Sequence, residues 1–309
     1  METFIQQVIN GLVLGSMYSL IALGYTMVYG ILNLINFAHG DVMTFGALTS
    51  LTTAVLLQAM FPGVPGWFIL LGGLLAAIPV CVTLSLVIER VAYRPLRNAP
   101  RLAPLITAIG VSIVLQTIAM LVWGRNFLTY PQLVSNNPIH VFGATVTQTK
   151  IAVISLSAIV MIGLMLLVNR TRLGRAMRAT SENPRVASLM GVNPNFVIAA
   201  TFAIGAALAA LAGVMFATTY GVAHFYMGFL PGLKAFTAAV LGGIGNVPGA
   251  MIGGLLLGLI ESLGAGYVGE LTGGVFGSNY QDVFAFLILV AVLIFRPQGL
   301  LGERVADRS

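Results

Sequence analysis

The chain has 309 residues, of which 58% are hydrophobic and only 8% are charged, with a formal net charge of +6 and a mean hydropathy of +0.97. Because so few residues are charged, the composition excludes a soluble globular protein and indicates a protein with a lipid-facing surface. We expect membrane lipid, and not nucleic acid, to be in contact with that surface. A spanning helix needs about 20 mostly apolar residues, which leaves room for about eight to ten of them. The predicted fold is an all-α, polytopic transmembrane helical bundle that forms one transmembrane domain over residues 1–309.

The apolar runs follow one another from the N-terminus. The start, METFIQQ, carries no Lys or Arg, so we expect an uncleaved first span there and not a secretory signal peptide. Gly11 and Gly15, and Gly254 and Gly258, are among the small-xxx-small spacings that indicate close helix packing. The runs predict nine spans, some of them broken or re-entrant, at 5–29, 42–61, 67–88, 102–123, 151–168, 196–219, 229–241, 249–267 and 282–295.

The arginines cluster in loops 89–101 and 169–195 and in a C-terminal tail, 296–309. Lys and Arg are enriched in cytoplasmic loops near span ends. Two predicted spans separate the two loops and four separate the second loop from the tail, so all three segments fall on one side. We therefore predict a cytoplasmic C-terminus and an outside N-terminus. If the stretch 33–41 dips into the membrane and returns, the N-terminus moves inside.

Polar residues recur between the first two runs, at Asn33, Asn36, His39 and Asp41, with glycines around them. Polar groups at membrane depth face a protein interior or a water-filled path. We predict a broken helix that lines the translocation pathway. The alternatives are a cytoplasmic turn with His39 and Asp41 at the water line, and structural hydrogen bonds between helices for the two asparagines.

The basic loop 169–195 contains the signals of a short capped helix. Asn183 is a helix cap, Pro184 suits the first helical position, and Gly191 can end the helix in the left-handed conformation. The resulting helix, 184–190, places Val186, Leu189 and Met190 on one apolar face. An apolar knob in a basic loop indicates a docking element for a protein partner.

A third irregular stretch, 227–254, is interrupted by glycines and prolines, and its apolar core is too short for a comfortable span. Interrupted segments of this kind often form the substrate site of transporters, so Gly242, Gly243 and Gly245 join the candidate pathway. We expect Lys234 to snorkel to the membrane interface and Asp282 to cap the last span. Glu261 is a functional candidate because it lies within a span.

Several kinds of chemistry lack their motifs. The only lysines are Lys150 and Lys234, and no glycine-rich loop ends in Gly-Lys-Ser/Thr, so we expect the chain to bind no ATP or other cofactor itself. HExxH and GxSxG are missing, and the single cysteine, Cys81, lies in an apolar run, so neither a metal site nor a catalytic residue is predicted. A membrane-embedded enzyme would depend on His39, Asp41, Glu261 or Asp282.

Four segments together resemble one family: INFAHGD at 35–41, ERVAYRPLR at 89–97, SENPRVASLMGVN at 181–193 and GLKAFTAAVLGGIGNVPGAMIGG at 232–254. In this order and spacing they are similar to the branched-chain amino acid ABC transporter permeases of LivH type. The resemblance implies a subunit of a bacterial inner-membrane importer that pairs with a second homologous permease, two cytoplasmic ATPases that hold ATP and Mg²⁺, and a periplasmic amino-acid-binding protein. It also implies that the segment 182–191 is the coupling helix that docks on the ATPase, formed by Glu182, Asn183, Pro184, Arg185, Val186, Ala187, Leu189, Met190 and Gly191.

The function expected from this resemblance is import of leucine, isoleucine, valine and related amino acids by alternating access. A urea or amide permease of the same family is the nearest alternative. An ion-coupled carrier or a channel would share the composition but would have little use for a capped cytoplasmic helix.

Overall fold

The computed structural model describes residues 2–97, 99–100, 102–134, 137–141, 143–271, 280–296 and 298–302. These residues form helices joined by short loops and two small two-stranded sheets, β1 with β4 and β2 with β3. In chain order the elements are α1 Glu2–Leu32, α2 His39–Met60, α3 Gly66–Ile88, α4 Leu102–Trp123, β1 Leu128–Thr129, β2 Pro138–Val141, β3 Ala144–Thr147, α5 Gln148–Arg170, α6 Arg172–Glu182, α7 Pro184–Leu189, α8 Pro194–Tyr220, β4 Val222–Ala223, α9 Phe229–Gly242, α10 Val247–Leu271 and α11 Gln281–Phe295.

Each of the nine predicted apolar runs coincides with a helix, which confirms the polytopic helical bundle. Seven of these helices in the described part of the chain are long and apolar enough to cross a membrane: α1, α2, α3, α4, α5, α8 and α10. The other two, α9 and α11, have 14 and 15 residues. At 1.5 Å per residue, α9 is about 21 Å long and falls short of the hydrocarbon core.

The segment 89–101, expected as a loop, is helical over much of its length. A π-helical turn at Glu89–Tyr93 and a 3₁₀ turn at Arg94–Leu96 continue α3 beyond its α-helical end. The π turn rotates the chain so that Glu89 and Tyr93 point into the bundle, where both are buried. The apolar periodicity stops at Ile88, so the charged continuation carried no span signal.

The bundle has two distinct ends. The basic end collects the end of α3, helices α6 and α7, and the segment 298–302: Arg97 Nη1 donates to Asn195 Oδ1 at 2.6 Å, and the Leu300 amide donates to the Leu241 carbonyl at 2.9 Å. The hairpin end carries β2 and β3, where Gln6 and Thr145 exchange hydrogen bonds. The structure thus brings the two predicted basic loops and the described start of the tail to one end, with the start of α1 at the other.

Close backbone packing holds the centre together. Helices α1 and α10 run antiparallel, and a Cβ atom added at Gly11 or Gly15 would lie within 3 Å of the α10 backbone. Gly254 and Gly258 meet α1 just as tightly from the other side. These are the predicted small-xxx-small positions, and their lack of a side chain is what allows the two backbones to touch.

Two helices begin inside the bundle. A Cβ on Gly24 would overlap the His39 ring at the start of α2, and Gly24 precedes the basic end of α1 by eight residues, about 12 Å. Helix α9 begins at a similar depth, because the Gly228 amide donates to Thr44 Oγ1 at 2.9 Å. The chain therefore dips inward at 33–38 and again at 221–228, as the prediction of broken or re-entrant segments requires. Helix α1 still runs the full length of the bundle, so the dip does not bring its start to the basic end.

Candidate coupling surface and transport pathway

Helix α7 is built by local capping signals. The Asn183 side chain accepts hydrogen bonds from the amides of Arg185 at 3.0 Å and Val186 at 3.2 Å, and Pro184 occupies the first helical position. Gly191 follows the helix with φ of +83°, the left-handed conformation that closes it. The predicted helix at 184–190 is confirmed, with its last α-helical residue at Leu189 and Met190 as its C-cap.

The apolar face of α7 has no covering element in the described chain. Leu189 is 87% exposed, Met190 is 80% exposed and Val186 is 52% exposed. Ala187, on a neighbouring side of the helix, is buried, and its carbonyl accepts from the Val192 amide at 3.0 Å, which closes the C-terminal end of α7. Large apolar side chains at the tip of a polar loop are a feature of protein-binding sites.

Helix α6, which precedes α7 in the chain, was not predicted from the sequence. Helix α6 is capped by Thr171, whose hydroxyl accepts from the Gly174 amide at 3.1 Å, and it buries Gly174, Met177 and Thr180. Its exposed side carries Arg172, Arg175 and Arg178. The inward face is made of small or flexible residues between arginines, so the apolar periodicity was weak. The Ser/Thr cap before an amphipathic arginine pattern was the available signal.

The candidate pathway residues of the first dip are fixed by contacts between helices. Asn33 is exposed and has a positive φ of +52°, which turns the chain inward after α1. Asn36 Oδ1 accepts from the Tyr93 hydroxyl at 2.9 Å, and Asp41 Oδ1 accepts from Gln116 Nε2 at 3.0 Å. Asn36, His39 and Asp41 are all buried, so the alternative that placed His39 and Asp41 at the water line is wrong.

The second set of pathway candidates forms the turn between α9 and α10 at the basic end. Gly243 and Gly245 have φ of +108° and +94°. Gly242 lies against the backbone of Gly249, and Gly243 against that of Gly302. Gly245 lines a cavity of about 80 Å³ shared with α1, α5 and α6, so this turn adjoins the helix that precedes α7.

Lys234 corrects a prediction. It does not reach the membrane interface but is buried between the carboxylates of Glu261, with which it forms an ion pair, and Asp282, whose Oδ1 lies 2.6 Å from its Nζ. Its ammonium group also lies 5.8 Å from the centre of the Tyr18 ring. Asp282 lies in the first turn of α11, but Tyr280 is the N-cap residue and no side chain caps that helix, so the predicted cap is replaced by an ion pair to Lys234.

This ion cluster forms the floor of a cavity of about 340 Å³ that extends toward the hairpin end. The floor lies beside Tyr18, about 24 Å along α1 from Glu2. Aromatic rings dominate the wall, which is formed by Phe127, Phe216, Tyr220, His224 and Tyr226, and aliphatic Leu14, Met227 and Leu230 complete it. Ionisable groups inside a membrane bundle commonly mark a substrate path, and this cluster was hidden because its members are far apart in the sequence.

A many-helix bundle with a charged cavity toward one end and an exposed apolar helix at the other fits a membrane transport subunit. Residues 7–293 match the family model described as the permease component of the branched-chain amino acid transport system. The chain belongs to this family.

Individual relatives agree with the family match. The chain is 48% identical over 310 residues to the high-affinity branched-chain amino acid transport system permease protein BraD of Pseudomonas aeruginosa, covering 99% of this chain and 98% of the relative. It is 45% identical to the corresponding permease protein LivH of Escherichia coli K12, covering 99% and 97%. A probable LivH permease of the archaeon Methanocaldococcus jannaschii is 27% identical and covers 95% and 91%.

Proposed function

We propose that this chain is the membrane-spanning permease subunit of an ATP-driven importer of branched-chain amino acids. The observation that carries the proposal is identity of 45% and 48%, over nearly the whole length, to permease proteins named for that transport. Its partners are a second homologous permease, two ATPase subunits that hold ATP and Mg²⁺, and a periplasmic amino-acid-binding protein. The chain itself holds no cofactor and catalyses no reaction.

The basic end faces the cytoplasm in this proposal. Lys and Arg concentrate on the cytoplasmic side of membrane proteins, and the arginines of α6 and of the 89–97 segment lie at this end. The hairpin end then faces the periplasm of a bacterial inner membrane, where the binding protein delivers its cargo. The C-terminus is cytoplasmic.

Helix α7 is the coupling helix, and Leu189, Met190 and Val186 insert into a groove on the ATPase. Their exposure gives them apolar area to bury on docking. ATP-driven closure of the two ATPases moves α7 and α6, and the helices packed on α6 follow. The bundle thereby alternates between a state open to the periplasm and a state open to the cytoplasm.

The pathway passes the break between α1 and α2 and the glycine turn between α9 and α10. Asn33, Asn36, His39 and Asp41 mark the first, and Gly242, Gly243 and Gly245 mark its exit toward the basic end. Interrupted helices leave backbone N–H and C=O groups for the charged ends of a zwitterion. In the present conformation the side chains of Asn36 and Asp41 bond to other helices, so they act in this pathway when those helices separate.

The test is uptake of labelled leucine into proteoliposomes that contain both permeases and both ATPases, with ATP inside and loaded binding protein outside. Matched vesicles lack the ATPases, and a further set is offered labelled urea. Accumulation of leucine that requires both ATP and the ATPases supports the proposal. Accumulation without the ATPases identifies a carrier or channel, and accumulation of urea alone identifies an amide permease.

A further inference from the structure

The cavity above Lys234 and Glu261 has the chemistry of an amino-acid site. We propose that it binds the cargo on its way through the permease, with the α-ammonium group on Glu261, the carboxylate near Lys234 and the apolar side chain against the aromatic wall. This inference rests on the proposed function and assigns a particular place in the fold to the cargo.

The polar groups of the cavity floor are incompletely hydrogen-bonded. Glu261 is 1% exposed; the Tyr18 hydroxyl lies beside this carboxylate, but no well-formed hydrogen bond reaches its Oε2 atom within the described chain. A buried carboxylate oxygen without a donor is costly. Lys234 has three N–H donors; one bonds Glu261 Oε1, and Asp282 Oδ1 lies 2.6 Å from Nζ without a well-formed hydrogen bond. The floor therefore offers carboxylate oxygens without well-formed hydrogen bonds, on Glu261 and Asp282, beside N–H donors of Lys234.

The charge of the cavity floor favours a cationic group. One cation, Lys234, faces two carboxylates, so the formal charge of the floor is negative. The rings of Tyr18, Phe216 and Tyr220 line the same space, and aromatic faces attract cations. An ammonium group is stabilised by both features, whereas an anion or an uncharged amide loses one or both of them.

The size and position of the cavity suit a small molecule that enters from the hairpin end. A volume of about 340 Å³ lies at the lower end of the range of small-molecule sites. Leu230 and Met227 provide aliphatic surface for a branched side chain. The cavity lies between the hairpin end and the start of α9, so a molecule delivered from the periplasm meets it before the interior break.

Charge selectivity can be measured without transport. In the full complex, Leu230→Cys places a thiol in the wall, and Ile139→Cys on β2 serves as an exposed control; the native Cys81 is buried. We expect Leu230→Cys to react with an aminoethyl methanethiosulfonate in preference to the sulfonatoethyl reagent by about tenfold more than the control does. Adding Glu261→Gln should reduce this preference, because it removes one negative charge while the pair between Lys234 and Asp282 stays. The proposal is overturned if Leu230→Cys shows the same reagent preference as Ile139→Cys and if adding Glu261→Gln does not change that preference.

Occupancy is tested by protection and by selectivity. Leucine-loaded binding protein, added with ATP, should slow the labelling of Leu230→Cys and leave Ile139→Cys unaffected. Leu230→Trp should shift uptake from leucine toward valine at least severalfold, while Leu75→Trp on α3 should not. If the complete importer transports leucine but shows neither effect, the site is wrong and the function stands. If leucine is not transported at all, the proposed function fails, whatever the charge selectivity of the cavity.

Discussion

Truncation of Leu189 is the sharpest test of the coupling assignment. The side chain is 87% exposed, so Leu189→Ala should leave folding and membrane insertion intact. The change removes three carbon atoms. At about 0.8 kcal/mol per buried CH₂, full burial of those atoms in an ATPase groove is worth about 2.4 kcal/mol, or about 50-fold in affinity.

The assay is titration of labelled ATPase onto nanodiscs that contain the two permeases, followed by leucine uptake with the same variant in proteoliposomes. We expect the dissociation constant to rise about 50-fold and uptake to fall at subsaturating ATPase. The control is Leu56→Ala, a leucine near the C-terminal end of α2 that is 56% exposed. Unchanged ATPase affinity together with unchanged uptake for Leu189→Ala would refute the assignment of α7 as the docking helix.

Three further changes test other parts of the structure. Gly191→Val forces a β-branched residue to φ of +83°, at a position where an added Cβ meets no other atom within 4 Å. The backbone strain of at least about 1–2 kcal/mol should abolish uptake while insertion persists. Gly191→Asn, which tolerates that φ, should transport, and normal uptake by the valine variant would contradict the coupling role. Asn36→Leu leaves the Tyr93 hydroxyl without its acceptor, which costs about 1–3 kcal/mol. Uptake and melting temperature should fall with ATPase binding unchanged, and adding Tyr93→Phe should restore the melting temperature. Unaltered cargo kinetics in Asn36→Leu would show that Asn36 has only a packing role. Lys234→Met leaves buried Glu261 without its cation, which costs about 3–5 kcal/mol. Monodisperse protein in detergent should be lost, and adding Glu261→Gln should recover part of it. A stable Lys234→Met variant would show that the ion cluster does not hold α9, α10 and α11 together.

Features encoded by neighbouring residues were predictable from the sequence. The α7 helix is specified by Asn183, Pro184 and Gly191, all within nine positions, and each acts through its own backbone or a bond to an amide two or three residues away. The spans are specified by long apolar runs. The close packing at Gly15 and Gly258 was also legible, because small residues at a spacing of four lie on one helix face.

Features that depend on tertiary contacts were not predictable in this way. Lys234 was expected at the interface because its partners, Glu261 and Asp282, are 27 and 48 positions away in the sequence. A lone lysine near the end of an apolar run normally snorkels, and only the three-dimensional packing of α9, α10 and α11 replaces water with two carboxylates. His39 was likewise drawn inward by Gly24, whose missing side chain makes room for its ring.

In the proposed mechanism, we expect movement of α7 to reach the pathway through contacts at the basic end. Helix α6 carries α7 and packs by Met177 against the wall of the small cavity that Gly30 and Gly245 also line. Gly30 belongs to the last part of α1, and Gly245 to the turn between α9 and α10. Displacement of α6 therefore presses on the end of α1 and on the glycine turn at once. Because α1 is locked to α10 by backbone packing at Gly11 and Gly15, these two helices move as a unit. The glycine turn, with left-handed φ angles on both sides of Ile244, is then the place where α9 can change its angle to that unit. Such a hinge would move Lys234 on α9 relative to Glu261 on α10, and so join the docking helix to the floor of the charged cavity.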